Sequence, residues 1–215
     1  ETAPAAARAN RFLSADGKPL KFFDAIVGGR SVGTPGVLRA LELAHAQHGK
    51  LPWDELFAPA IRLATEGFPL SPRLHSLLEW ARRLAGRDQA MRRMYYRDDD
   101  TPKPEGTLLQ NPELADTLRA IAAQGANAFY AGEIARAIAT KVRNAPDPGD
   151  LSESDLAQYR AKQRVAVCAP YRQWKVCGMP PPSSGGVAVL QVLGILQQLA
   201  PDKLPSDQVL AAHLI

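Results

Sequence analysis

The sequence predicts an α+β chain that is mostly helical and carries one β-hairpin. Three observations point there. Apolar residues recur at helical spacing through most of residues 34–159. The pattern then changes to period 2 over Arg164–Ala169 and Trp174–Met179, which reads as two strands. Finally, Met179-Pro180-Pro181-Pro182-Ser183-Ser184-Gly185-Gly186 feeds an apolar run from Val187 to Leu199. Three prolines lack the N–H groups that a helix interior or a central strand requires. The stretch therefore reads as strand, stiff connector, tight turn and buried helix. Ser183 or Ser184 caps that helix, and the glycines let another backbone come close.

Size and composition set bounds. The 215 residues suffice for one domain or a large piece of one. Hydrophobic residues at 46% and charged residues at 22% are ordinary for a globular protein. The net charge of +4 is too mild and too scattered for a nucleic-acid surface. Arg82, Arg83, Arg87, Arg92 and Arg93 cluster, but their helical spacing reads as a solvated face. No run of about 18 apolar residues is present, so no membrane span is expected. The chain opens at Glu1 with neither an initiator Met nor a signal peptide, and it stops at Ile215 inside an amphipathic pattern. Both ends read as cuts.

The elements follow in order. Residues 1–33 read as irregular, with a helical turn at Ala5–Arg8, turn chemistry at Asp16-Gly17-Lys18-Pro19 and a flexible entry at Gly28, Gly29 and Gly33. Thr34 as N-cap and Pro35 at the first position start a helix with Val37, Leu38, Leu41 and Ala44 as its stripe, ended by Gly49. A second helix spans about Trp53 to Thr65, with Leu56, Ala60, Ile61 and Ala64 inward and Gly67 as its stop. Pro59 inside it predicts a late start or a kink. Ser71-Pro72 opens a third helix on Leu74, Leu77, Leu78 and Ala81, and residues 88–95 continue the helical pattern. Residues 97–108 read as a loop. Its Asp98, Asp99 and Asp100 lack the alternating ligands of a calcium loop, so a solvated acidic turn is expected. Asn111-Pro112-Glu113 starts a helix on Leu114, Leu118 and Ile121 that ends at Gly125. A short turn at 126–131, a helix over Glu133–Val142 and a loop over 144–150 come next. Ser152 then opens a short helix ending near Tyr159, with Asp155 in capping-box position.

Tyr171-Arg172-Gln173-Trp174 reads as a two-residue hairpin turn, although Gln173 is not the glycine such a turn prefers. This register sets Cys168 opposite Cys177 at a non-hydrogen-bonded position, where side chains come closest. Two readings stay open: a disulfide, which implies an oxidising compartment, or two small residues buried on one face.

Chemistry-bearing motifs are sparse. His45 and His48 stand i, i+3 on a helix, but no HExxH motif or third ligand accompanies them or His75 and His213, so no metal site is expected. There is no Gly-x-Ser-x-Gly elbow to make Ser183 or Ser184 a triad nucleophile, no phosphate-loop lysine and no dinucleotide fingerprint. The bare N–H groups after Ser183–Gly186 are either an anion-binding helix start or a plain strand-to-helix connector.

A set of motifs occurs here in a definite order: Glu1-Thr2-Ala3-Pro4, Ser31-Val32-Gly33-Thr34-Pro35-Gly36, Gly49-Lys50-Leu51-Pro52-Trp53, Leu56-Phe57-Ala58-Pro59-Ala60-Ile61, Glu66-Gly67-Phe68, Asp155-Leu156-Ala157-Gln158-Tyr159 and Met179 to Gly186. In that order they resemble the gamma-glutamyltranspeptidases (glutathione hydrolases). The resemblance runs over nearly the whole chain and is most specific at the proline–serine–glycine stretch. It implies an Ntn-hydrolase with a four-layer αββα core, made as a precursor that cuts itself into a large and a small subunit. Residues 1–215 would be a single partial large-subunit domain, truncated at both ends. A threonine at the new N-terminus of the small subunit, absent here, would attack the gamma-glutamyl carbonyl of glutathione or a related amide, with its own α-amine as base. Water or an amino acid would accept the acyl group.

The resemblance implies no cofactor and no catalytic residue in this chain. An arginine that pairs with the substrate α-carboxylate would stand just before Glu1, a task suited to a bidentate guanidinium. Glu1, Ser183, Ser184, Gly185 and Gly186 are then the substrate-proximal candidates, and the chain alone is expected to be inactive. The expected location is periplasmic or secreted, with which a Cys168–Cys177 disulfide would agree. Two other readings stand beside this one: a related acylase or poly-gamma-glutamate hydrolase of the same fold, and a non-catalytic helical scaffold.

Overall fold

The computed structural model describes residues 2–85 and 88–199 together with 208, 209 and 212; the side chains of 83, 85 and 199 are not described. Glu1, Arg87 and His213 lie outside the described residues. The chain divides into two compact units, Glu1–Ala161 and Lys162–Ile215.

The first unit is helical, with one minimal strand pair. Its elements are α1 (Phe22–Ile26), α2 (Val37–His48), a 3-10 turn (Asp54–Phe57), α3 (Ala58–Glu66), β1 (Phe68–Pro69), α4 (Pro72–Ala85), α5 (Gln89–Tyr95), β2 (Leu108–Leu109), α6 (Pro112–Gln124), α7 (Asn127–Tyr130), α8 (Glu133–Arg143) and α9 (Glu153–Gln158). α4, α6, α8 and α9 start where expected, whereas α2 begins at Val37, two residues later than expected. Pro59 falls in the first turn of α3, so the 3-10 turn takes up the late start that it imposes. Asn111 caps α6 by accepting from the Leu114 N–H at 3.0 Å.

Several expectations are corrected. Residues 22–26 form a short helix rather than irregular chain; its five residues are too few to repeat a helical period. β1 and β2 pair antiparallel, Phe68 with Leu109 and Pro69 with Leu108, inside what reads as helix stop and loop. A two-residue strand shows no alternation. Asp88 separates α4 from α5, its carboxylate accepting from the N–H groups of Ala90 and Met91. Gly28 and Gly29 are not a loose entry. A Cβ at Gly29 would meet the Gly149 nitrogen at 2.6 Å, so two backbones cross there in contact.

Two cores organise this unit. Leu70, Leu78, Tyr96 and Leu109 form one, with Leu74 and Tyr95 against it. Tyr130, Ala135 and Leu156 form the other, with Leu38, Phe129, Ile138 and Tyr159 around them. Burying one such leucine contributes about 2 kcal/mol. The stripes are narrower than periodicity suggests. Val37 and Leu41 are exposed on α2, as are Leu56, Leu77 and Leu114 on their elements.

The second unit is a hairpin packed on a helix. β3 (Val167–Tyr171) pairs antiparallel with β4 (Trp174–Gly178) in the expected register, Tyr171 with Trp174 and Cys168 with Cys177. Arg172 takes the positive φ of 52° that the two-residue turn demands. α10 (Gly185–Leu199) follows and packs on both strands.

Candidate functional site

The Met179–Gly186 stretch leaves β4 and turns at once into α10. The Pro181–Pro182 peptide is cis. The Ser183 N–H donates to the Pro180 carbonyl at 3.2 Å, and the Ala188 N–H donates to the Ser184 carbonyl at 2.9 Å. The expected close approach is present. A Cβ on Gly178 would meet the Gly186 Cα at 2.5 Å, and one on Gly186 would strike the Met179 carbonyl. Sheet end and helix start therefore touch backbone to backbone, which no larger residue allows. Gly185 differs, since the nearest atom to its added Cβ would be Ser183 Oγ at 3.8 Å. Ser183 and Ser184 are exposed, and the described residues of this unit include no histidine to act as base.

Cys168 and Cys177 are joined by a disulfide with a Cα–Cα separation of 4.1 Å, the spacing of a non-hydrogen-bonded pair. Both are exposed. The staple therefore sits on the open side of the hairpin that leads into the turn.

The residues after Glu1 are held by partners far away in sequence. The Thr34 N–H donates to the Thr2 carbonyl at 2.8 Å within an isolated bridge. The Ala5 N–H donates to Asp155 Oδ1 at 2.8 Å. Pro4 between them is buried. Thr34, expected to cap α2, is instead fully buried with no partner for its Oγ1, and Gly36 occupies the N-cap. The cap comes from elsewhere. Tyr130 Oη accepts from the Arg39 N–H at 3.3 Å and donates to the Pro35 carbonyl at 2.8 Å. Burial raises the pKa of this phenol above 10.0, so it stays protonated and can do both. The Arg39 guanidinium lies 4.5 Å from the Tyr130 ring centroid, and Tyr159 stacks on the same ring at 6.0 Å. A stripe analysis misses this face of α2 because an arginine covers the core.

An open cleft of about 580 Å³ borders the bridge, lined among others by Ser31, Gly33, Pro35, Gly36 and Tyr159. Asp155 reaches the same region from the start of α9. Its Oδ2 accepts from the Ser152 N–H at 2.9 Å and from the Ser152 hydroxyl at 2.7 Å, while its own N–H donates to Ser152 Oγ. The capping box read from the sequence is formed. Partial burial raises the Asp155 pKa, but the hydrogen bonds from Ser152 and Ala5 outweigh it and hold the carboxyl below 3.8.

His45 Nε2 meets the Leu51 carbonyl at 2.8 Å and its ring packs edge-on against Trp53. Among the described residues no group of three His, Cys, Asp or Glu is placed to hold a metal. Asp99 turns on itself, accepting from the Thr101 N–H and hydroxyl, and Asp100 pairs with Arg92. No described helix is long and apolar enough to cross a membrane.

The comparisons with known proteins agree along the chain. The family model described as gamma-glutamyltranspeptidase matches residues 1–215. Glutathione hydrolase 2 of Arabidopsis thaliana is 37% identical over 171 residues, 80% of this chain and 29% of that protein. Acylase ACY 1 proenzyme of Pseudomonas sp. (strain SE83) is 34% identical over 190 residues, 88% of this chain and 34% of that protein. The crystal structure of Helicobacter pylori gamma-glutamyltranspeptidase superposes with a TM-score of 0.91 at 29% identity, covering all of this chain and 60% of that one. The chain thus spans about a third of the length of the curated relatives it matches. With whole-chain agreement in sequence and backbone, the chain belongs to the gamma-glutamyltranspeptidase family and carries a mostly helical part of its α+β Ntn-hydrolase fold.

Proposed function

We propose that this chain is part of the large subunit of an autoprocessed enzyme that transfers or hydrolyses gamma-glutamyl groups of glutathione and related amides. The observation that carries the reading is the family match over all of residues 1–215, with a TM-score of 0.91 to the H. pylori enzyme. The nucleophile is the N-terminal threonine of a separate small subunit, whose α-amine takes the proton as the hydroxyl attacks the gamma-carbonyl. The acyl-enzyme passes to water or to an amino acid. In this division of labour the chain supplies no reacting atom and is inactive alone. Glu1 stands beside the donor, and Ser183, Ser184, Gly185 and Gly186 stand toward the small subunit. The exposed Cys168–Cys177 disulfide supports a periplasmic or secreted location.

The test is intact-mass analysis and N-terminal sequencing of the purified full-length protein, combined with gamma-glutamyl p-nitroanilide turnover. Two chains, one beginning with threonine, together with turnover are expected. An uncut chain without turnover overturns the proposal. The 34% identity to Acylase ACY 1 favours a second reading, an acylase on the same fold. Turnover of an acyl side-chain amide in preference to the gamma-glutamyl anilide by the same preparation selects it.

A further inference from the structure

The capping box of α9 has a feature that a helix cap does not need. A cap requires a side-chain oxygen for the first-turn N–H groups and a return bond to the N-cap residue. Ser152 and Asp155 meet both needs with the Ser152 Oγ and the Asp155 Oδ2. The second carboxylate oxygen remains, and it accepts from the Ala5 N–H, 150 residues away, at 2.8 Å. At the other end of the same short segment the Thr2 carbonyl accepts from the buried Thr34 at 2.8 Å. Pro4, with its φ fixed by the ring, is buried between the two. Residues 2–5 thus have both ends tied and one torsion locked.

We propose that Asp155 is a positioning residue, which clamps the Thr2–Ala5 segment so that the chain next to Glu1 is already ordered before substrate arrives. This rests on the reading above that Glu1 stands beside the gamma-glutamyl donor. The physical argument concerns entropy. Fixing the backbone of a free residue costs conformational entropy, and an unclamped segment would draw that cost from substrate binding. The clamp moves the cost into folding. Its loss should therefore appear in KM and leave kcat, which depends on the threonine of the other subunit, almost unchanged. α9 joins the clamp to the cleft, with Asp155 near its start and Tyr159 at its end lining the opening.

The experiment uses the full-length processed enzyme and steady-state kinetics with gamma-glutamyl p-nitroanilide. Asp155→Asn keeps the shape of the side chain but weakens its hold on Ala5. KM is expected to rise about tenfold, with kcat within about twofold. Ser152→Ala damages the same cap without touching Ala5 and should leave KM within about twofold. An equal rise in KM for both variants would overturn the clamp, since loss of the helix cap alone would then account for it. Glu1→Ala separates the two levels of the argument. If it raises KM while Asp155→Asn does not, the clamp is wrong and the placement of Glu1 stands. If neither changes KM, the placement of Glu1 falls, and the clamp with it. Should Asp155→Asn fail to mature, Asp155→Glu, which keeps the charge and displaces the oxygens, carries the same expectation.

Discussion

The Thr2–Ala5 segment and the Ser183–Gly186 turn are both short, irregular pieces of chain, and they are held by opposite means. The first has almost no local support. Its main chain is tied by Thr34 and Asp155, residues 32 and 150 positions from their partners. The second is held almost entirely by its neighbours in sequence, through contact between the Gly178 and Gly186 backbones and two turn hydrogen bonds. Polar ties tolerate small changes of shape but depend on charge and pH. Steric fit is indifferent to pH and intolerant of a single methyl group.

The sharpest way to break the comparison is to add that methyl group. Gly186→Ala places a Cβ against the Met179 carbonyl and within 2.9 Å of the Met179 nitrogen. Backbone cannot yield as a flexible side chain does, so a loss of about 3 kcal/mol is expected. Gly185→Ala, one residue earlier and open to 3.8 Å, should be neutral or slightly stabilising. Thermal unfolding of the two variants of the full-length protein checks this. Equal effects would mean that the turn is not held by close contact.

The same contrast explains what could be read in advance. The hairpin register was legible because Tyr171 and Trp174 flank a two-residue turn and everything behind them follows by counting. The close glycine pair and the Ser152–Asp155 capping box were legible because each is a local pattern. The cap of α2 was not. Thr34-Pro35 looks like a helix start, but the helix begins at Val37 after Gly36, and the group that satisfies its first turn is a phenol 95 residues from Pro35. The apolar stripe of α2 was misread for a related reason. Its inward side is closed by Arg39 lying over Tyr130, and a hydropathy pattern scores arginine as surface. Local signals carry elements and turns, whereas the long-range polar ties that hold residues 2–5 leave no periodic trace.

Tyr130→Phe tests the polar side of the comparison at intermediate size. The ring, its stacking on Tyr159 and the Arg39 contact remain, while the bonds to the Arg39 N–H and the Pro35 carbonyl disappear. Leaving these partly buried groups unpaired should cost about 2 kcal/mol. The expected readout is a lower denaturant midpoint with an unchanged m-value. No shift would mean that α2 is capped by water and that the phenol is idle.

The smallest expected effect is the most specific to the polar tie, because it depends on pH. Asp155 has its carboxyl held below the ordinary 3.8 by hydrogen bonds from Ser152 and Ala5. A group with a depressed folded-state pKa binds its proton more readily when unfolded. Its contribution is therefore complete above the unfolded value and is lost as pH falls through the lower, folded value. Asp16, Asp88 and Asp99 are depressed as well, so acid destabilises the parent protein through several groups at once. The difference between parent and Asp155→Asn isolates one of them. That difference should be about 1 kcal/mol near neutrality, stay constant down to about pH 5, and shrink as pH drops below 3.8. Denaturant titrations at pH 7, 5 and 3 check it. A gap that persists undiminished at pH 3 would show that the carboxylate charge contributes nothing and that shape alone holds Ala5, which would make the segment after Glu1 resemble the glycine turn rather than contrast with it.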